Sequence, residues 1–194
     1  EKMGAKINLT GGYINAKGKF SGTDIIFDKS SVGATGNIMM AAVNAKGITK
    51  IENSALEPEI DCLMEFLNKM GADIRRDLHN NIIIKGVSKF KDNFEFDVIP
   101  DRIEAGTFMI ATAMCKGKVQ LDNVNPKHLS IVIDKLTQSG SNIISKKNSI
   151  VIESNSRPEP VDIDTLIYPG YPTDLQAQWM ALMSIANGSS KIID

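Results

Sequence analysis

Three segments of the chain set an acidic residue, with or without a basic neighbour, just ahead of a Met- and Ala-rich run. They are FDKSSVGATGN (Phe27 to Asn37), IPDRIEAGTF (Ile99 to Phe108) and YPGYPTDLQAQ (Tyr168 to Gln178), and their charges are Asp28-Lys29, Asp101-Arg102 and Asp174. Each segment reads as the exit of a strand into a helix. A helix start presents free backbone N–H groups and the positive end of its dipole, a natural place for phosphate or carboxylate. A purely structural repeat has no need of charge at the same place each time. Structural accounts stand beside the chemical one. By spacing alone, Asp174 reads as an N-cap for a helix beginning at Leu175. Lys29-Ser30-Ser31-Val32-Gly33 can be a plain Ser/Gly turn, and it lacks the glycine pattern of a nucleotide P-loop. Asp101-Arg102 can be a simple ion pair. In Glu57-Pro58-Glu59, acidic residues and Pro favour a helix start. The residues alone give an anion-friendly face and no identified catalyst.

The elements that carry these residues repeat. GNIMMAAVNAKG, GTFMIATAMCKG and QAQWMALMSIANG share one pattern, and their closing glycines Gly47, Gly117 and Gly188 recur at 70 and 71 residues. Each glycine stands where a helix C-cap calls for a left-handed residue. A short strand follows each: ITKIENS, KVQLDNV and SKIID. A second helix type alternates with the first, in Glu59 to Ile74 and His128 to Ile143, with a stub at EKMGAKI. Its capping glycines Gly4, Gly71 and Gly140 lie 67 and 69 residues apart, and a hairpin-like pair of strands follows each. The unit is strand, helix, strand, helix, strand, strand, in just under three copies. It is too large for a solenoid repeat. FMIATAM is apolar nearly all round, so the first helix type is expected to lie buried in the middle of a domain. The second type carries Glu65, Lys69, Asp134 and Lys135 on one side and is expected outside. The opening residues read as the last turn of a helix and the closing ones as a strand just beginning. The chain is therefore expected to be a piece of something longer.

Composition excludes several classes. The 194 residues carry 22 Lys plus Arg against 23 Asp plus Glu, for a net charge of −1. That leaves no basic footprint for nucleic acid and no cationic face for a membrane. Aromatics at 6% are too sparse for a base-stacking surface. Hydrophobic residues at 42% suffice for a real core. Two cysteines are too few for a disulfide scaffold, and His79 and His128, both expected to be solvated, form no metal cluster. Cys115, inside an inner helix, reads as an inert core thiol, and nothing beside Cys62 suggests activation. No apolar run reaches the roughly 18 residues of a membrane helix. A cytoplasmic α/β protein is expected.

At the helix lead-ins the sequence resembles a known family. DKSSVGAT (Asp28 to Thr35), ENSALEPEI (Glu52 to Ile60), PDRIEAGTF (Pro100 to Phe108) and YPTDLQAQ (Tyr171 to Gln178) are similar, in order and along the whole length, to the bacterial enolpyruvyl transferases of cell-wall synthesis. The resemblance implies an inside-out α/β barrel of two similar domains, each holding three such units. Residues 1–99 would be the C-terminal part of the first domain and 100–194 the N-terminal part of the second. It implies transfer of the enolpyruvyl group of phosphoenolpyruvate to the 3-hydroxyl of UDP-N-acetylglucosamine with release of phosphate, without a cofactor or metal. Lys29 with Ser30, Ser31, Val32 and Gly33 would hold the uridine diphosphate. Asp174 would bind the sugar and act as general base on its hydroxyl. Glu57, Asp101 and Arg102 match motif positions close to the cleft and would have supporting roles. Substrate binding would draw Lys29 and Asp174 together across a closing cleft. Several family residues have no match: a loop cysteine, a Lys-Asn pair and several arginines that contact phosphoenolpyruvate. The 194 residues alone are therefore expected to be inactive. The alternatives are a non-catalytic homologue that binds a UDP-sugar, and the sister transferase of the shikimate pathway.

Overall fold

The computed structural model describes residues 1–194, which divide into two compact units, Glu1–Val98 and Ile99–Asp194. The first unit opens with a hairpin of β1 (Lys6–Thr10) and β2 (Tyr13–Lys17). There follow β3 (Asp24–Ile26), α1 (Val32–Ala42), β4 (Ile48–Glu52), α2 (Pro58–Lys69), β5 (Asp73–Arg76) and β6 (Ile82–Lys85). These four later strands form one sheet in the order β3-β4-β6-β5, with β3 parallel to β4 and the other pairs antiparallel. Ile82 and Ile84, alternating on β6, are fully buried with Ile51 and Met39 in the core beneath the helices. α2 starts on Pro58 with Glu59 and Asp61 in its first turn and Lys69 in its last, so its charges suit its dipole.

The second unit repeats the plan with α3 (Arg102–Met114), β7 (Lys118–Asp122), α4 (Ser130–Gln138), β8 (Asn142–Ser145) and β9 (Ser149–Glu153). β10 (Ile163–Asp164), α5 (Gln176–Met183) and β11 (Ile192–Ile193) follow, with β10 and β11 parallel. The sheet order is β7-β9-β8, all antiparallel. Ile150 and Ile152 of β9 hold the places of Ile82 and Ile84. Met109, Leu136 and Trp179 complete the core.

The repeat extends to the hydrogen bonds. Gly71 and Gly140 take φ of 106° and 99°, and the N–H after each donates to a carbonyl in the last turn of α2 or α4. Only glycine reaches that conformation without strain. The strap after each hairpin then returns to the same corner, Lys91 N–H to Met70 O and Glu159 N–H to Ser139 O.

Three expectations need correction. Gly117 is not the left-handed residue after α3; Lys116 is, at φ 51°. The helix consequently stops at Met114, and Cys115, its exposed C-cap, is no core thiol. The first helix type is not buried all round, either. Met40 on α1 is 46% exposed, Phe108 on α3 54% and Met180 on α5 53%. The same holds for the first hairpin. Leu9 and Ile14, paired on one side of β1–β2, are 76% and 72% exposed. The matching inward positions of the later hairpins are closed over by helices.

Gly86 shows how tightly the first unit is built. A Cβ there would lie 1.6 Å from the carbonyl oxygen of Ala45, a backbone atom that no rotamer change can move. Gly86→Ala is expected to destabilise this unit by about 3 kcal/mol, read as a lowered urea midpoint. Gly33→Ala, where the added Cβ meets nothing within 4 Å, serves as the tolerant control.

Candidate functional site

In the first unit, the turn before α1 leaves donors and a cation exposed. Ser31 is the N-cap: its backbone is extended, and its Oγ accepts from Ala34 N at 3.3 Å. Val32 and Gly33, the first two helical residues, have no intrahelical acceptor for their N–H groups. Lys29, Ser31, Val32 and Gly33 are exposed and Ser30 is half-buried. Lys29 makes no ion pair, and the space beside Gly33 is open. A cation beside free N–H groups is an arrangement suited to an anion. Behind it, Asn53 Nδ2 donates to Phe27 O at 2.8 Å and fixes the strand exit.

The loop from β4 to α2 lies against this corner. Ala55 N donates to the Oγ1 of Thr35, a fully buried residue on the first turn of α1, at 3.0 Å. Glu57 holds the N-cap place of α2 but makes no capping bond, and its Oε2 is buried without a hydrogen-bond partner. Sequence reasoning missed Thr35 and also Arg76, whose guanidinium bonds Ala55 O, Ser54 Oγ, Asn80 O and Asp61 Oδ1. A signal for Arg76 exists in the period-2 pattern of β5, where it falls on the same inward side as Ile74.

In the second unit, the starts of α3 and α5 come together. Gln178 Nε2 donates to Thr107 Oγ1 at 3.0 Å, and Gly106 fits against Leu175, where a Cβ would meet Cδ1 at 2.6 Å. Asp101 is neither free nor merely an ion-pair partner. It is the N-cap of α3, its Oδ1 accepting from Ile103 N at 2.8 Å and Glu104 N at 3.0 Å. Asp101→Ala should cost about 1 kcal/mol of stability in chemical denaturation, most of which Asp101→Ser should restore. Arg102 lies 5.4 Å from the centre of the Tyr168 ring. It lines a small hollow with His128, Tyr168, Pro172 and Leu175. His128 is half-buried rather than solvated, with Nε2 at 2.9 Å from Asn125 Nδ2.

Asp174 is not an N-cap. It sits within the single 3-10 turn Thr173–Leu175, closed by Leu175 N to Pro172 O at 3.0 Å, and α5 begins only at Gln176. Its carboxylate is exposed and bonds no protein group. Each unit thus gathers its candidates at one end of a helix pair: Lys29 to Gly33 with Glu57 in the first, Asp101, Arg102 and Asp174 in the second. Among the described residues no His, Cys, Asp and Glu cluster could hold a metal, and no helix is long and apolar enough to cross a membrane.

Comparison with known proteins gives these arrangements a context. The chain is 50% identical over 195 residues to UDP-N-acetylglucosamine 1-carboxyvinyltransferase 1 of Caldanaerobacter subterraneus, covering 100% of the chain and 47% of that protein. It is 47% identical to the UDP-N-acetylglucosamine 1-carboxyvinyltransferase of Chlorobaculum parvum, covering 100% of the chain and 46% of the relative. The chain spans about half the length of the curated relatives it matches. Among solved structures, the enolpyruvyl transferase NikO from Streptomyces tendae superposes with a TM-score of 0.86 over 98% of this chain and 49% of its own. At 18% identity that likeness speaks for the fold alone. EPSP synthase from Acinetobacter baumannii aligns with a TM-score of 0.65 at 21% identity, over 98% of this chain and 46% of its own. The sequence profile of EPSP synthase (3-phosphoshikimate 1-carboxyvinyltransferase) matches residues 1–194, and with its whole length inside that match the chain belongs to the EPSP synthase family.

Proposed function

We propose that this chain forms part of a cytoplasmic carboxyvinyltransferase that moves the enolpyruvyl group of phosphoenolpyruvate to the 3-hydroxyl of UDP-N-acetylglucosamine and releases phosphate, the first committed step of peptidoglycan synthesis. The Lys29 to Gly33 turn carries the reading: an unpaired cation, two free N–H groups and open space, in a chain whose curated relatives bear that activity's name. Lys29 and the N–H groups of Val32 and Gly33 hold the diphosphate. Asp174 takes the proton of the sugar hydroxyl as its oxygen bonds the substituted carbon of the enol phosphate, whose methylene gains a proton and becomes a methyl, because an alcohol is a poor nucleophile at neutral pH. Loss of phosphate and of one methyl proton from the resulting tetrahedral intermediate restores the vinyl group and completes the transfer. Glu57, Asp101 and Arg102 support the site, Asp101 through the cap that orients the start of α3. Residues 1–99 and 100–194 belong to the first and second domains of the complete enzyme.

The test is phosphate release by the full-length polypeptide given phosphoenolpyruvate and UDP-N-acetylglucosamine. Lys29→Ala is expected to raise KM for the nucleotide sugar about tenfold with little change in kcat, as loss of a charge-assisted contact to a non-reacting group does. Acceptance of shikimate 3-phosphate in place of the nucleotide sugar would assign the sister activity instead. Binding of the nucleotide sugar without any turnover would leave a non-catalytic homologue.

A further inference from the structure

Glu57 is anomalous in its unit. It stands where a helix start offers N–H groups, yet its side chain caps nothing, and Oε2 is buried with no partner. A buried acceptor left unpaired costs free energy, so its orientation needs a cause. The cause is not slack in the loop. Ala55 is held from both sides, its N–H by Thr35 Oγ1 at 3.0 Å and its carbonyl by Arg76 Nη2 at 2.8 Å. Arg76 Nη1 also donates to Ser54 Oγ at 3.0 Å and Asn80 O at 3.1 Å, and Nε to Asp61 Oδ1 at 2.8 Å. One guanidinium therefore grips the chain before Glu57, at Ser54 and Ala55, and after it, at Asp61 in the first turn of α2. The Arg76 side chain is only 15% exposed, and its bonds to Ser54 and Ala55 are partly buried, while those to Asp61 and Asn80 reach the surface.

We propose that Arg76 is a positioning residue for Glu57. It fixes the loop so that the carboxylate keeps Oε2 buried and turns Oε1 toward a hydroxyl or amide N–H donor of the bound substrate. A carboxylate with one oxygen removed from water and unpaired gains more from an incoming donor than a fully solvated one. The planar fork of Arg76 is what spans the loop and the helix; a lysine, with a single point of charge, does not. This inference rests on the transferase reading above.

The experiment is a double-mutant cycle in the full-length polypeptide, with Arg76→Met, Glu57→Gln and their combination. Each single change is expected to lower kcat/KM about tenfold, and the pair also by about tenfold, because both act through one carboxylate. Arg76→Lys is expected to behave like Arg76→Met. Amide exchange at Leu56 and Glu57 should quicken at least about tenfold in Arg76→Met, with Ile82 and Ile84 unchanged. A purely structural arginine would instead give independent losses, about a hundredfold in the pair, and that result overturns the proposal. So does wild-type turnover in Arg76→Met or Arg76→Lys. A wild-type polypeptide that releases no phosphate would sink the transferase reading, and the exchange comparison then decides the clamp alone: unchanged exchange at Leu56 and Glu57 refutes it.

Discussion

Asp174→Asn in the full-length polypeptide is expected to lower kcat by about 10²- to 10⁴-fold, the usual worth of a positioned general base. The same change should leave stability within about 0.5 kcal/mol, because the carboxylate is exposed and bonds no protein group. Few substitutions separate the two readouts so cleanly. Asparagine keeps the size and can still bond the sugar hydroxyl, but it cannot take its proton. KM for the nucleotide sugar should therefore change far less than kcat. Asp101→Ala is the informative opposite, since it removes a cap and should register first in stability. Unchanged turnover in Asp174→Asn would remove this residue as the base.

The contrast between those two aspartates marks the limit of what the sequence makes legible. Both precede an apolar helix by a residue or two. Asp101 has extended backbone, at φ −72° and ψ 108°, so its Oδ1 reaches the N–H groups of Ile103 and Glu104. Asp174 lies inside the turn begun by Pro172, and α5 takes no side-chain cap from it. Spacing cannot distinguish an aspartate at the N-cap from one a single residue earlier; backbone conformation does. The repeat was far more legible. Its glycines, hairpins and alternating isoleucines are fixed by local rules of φ and of period, and those rules act within a few residues. The reach of helix burial was not legible. An all-round apolar pattern says that every face can be covered, whereas Met40, Phe108 and Met180 depend on what a unit of this size supplies. The Cys115 error has a still smaller cause, one left-handed residue at Lys116 that ends α3 a step earlier than the glycine spacing indicates. Arg76 could have been found, as a charge on the inward side of an alternating strand.

The largest stability effect should come from Trp179→Ala, at about 3–5 kcal/mol, the range for emptying a large aromatic site in a core. Trp179 is fully buried on the third Met- and Ala-rich helix and meets the Tyr171 ring edge-on, with centroids 5.5 Å apart. Its Nε1 donates to Val161 O at 3.2 Å, which ties α5 to the strap ahead of β10. Alanine removes the volume, the ring contact and that bond together. Phenylalanine tests the parts separately. It retains the aromatic body, and Val161 O keeps a donor in Ser190 Oγ, so no buried carbonyl is orphaned. Trp179→Phe should therefore cost about 1–2 kcal/mol, well below the alanine variant. Amide exchange at Leu136, Ile150 and Ile152, which share this core, should quicken in step with the lost stability. On the proposed function, the position matters to turnover as well as folding. α5 begins two residues after Asp174, the proposed base, and Leu175 is locked against Gly106 of α3, so a collapsed Trp179 site displaces that turn. Trp179→Ala is thus expected to lose turnover together with stability, where Asp174→Asn loses turnover alone. An alanine variant as stable as wild type would show that the α3–α5 pair is held by something other than this ring.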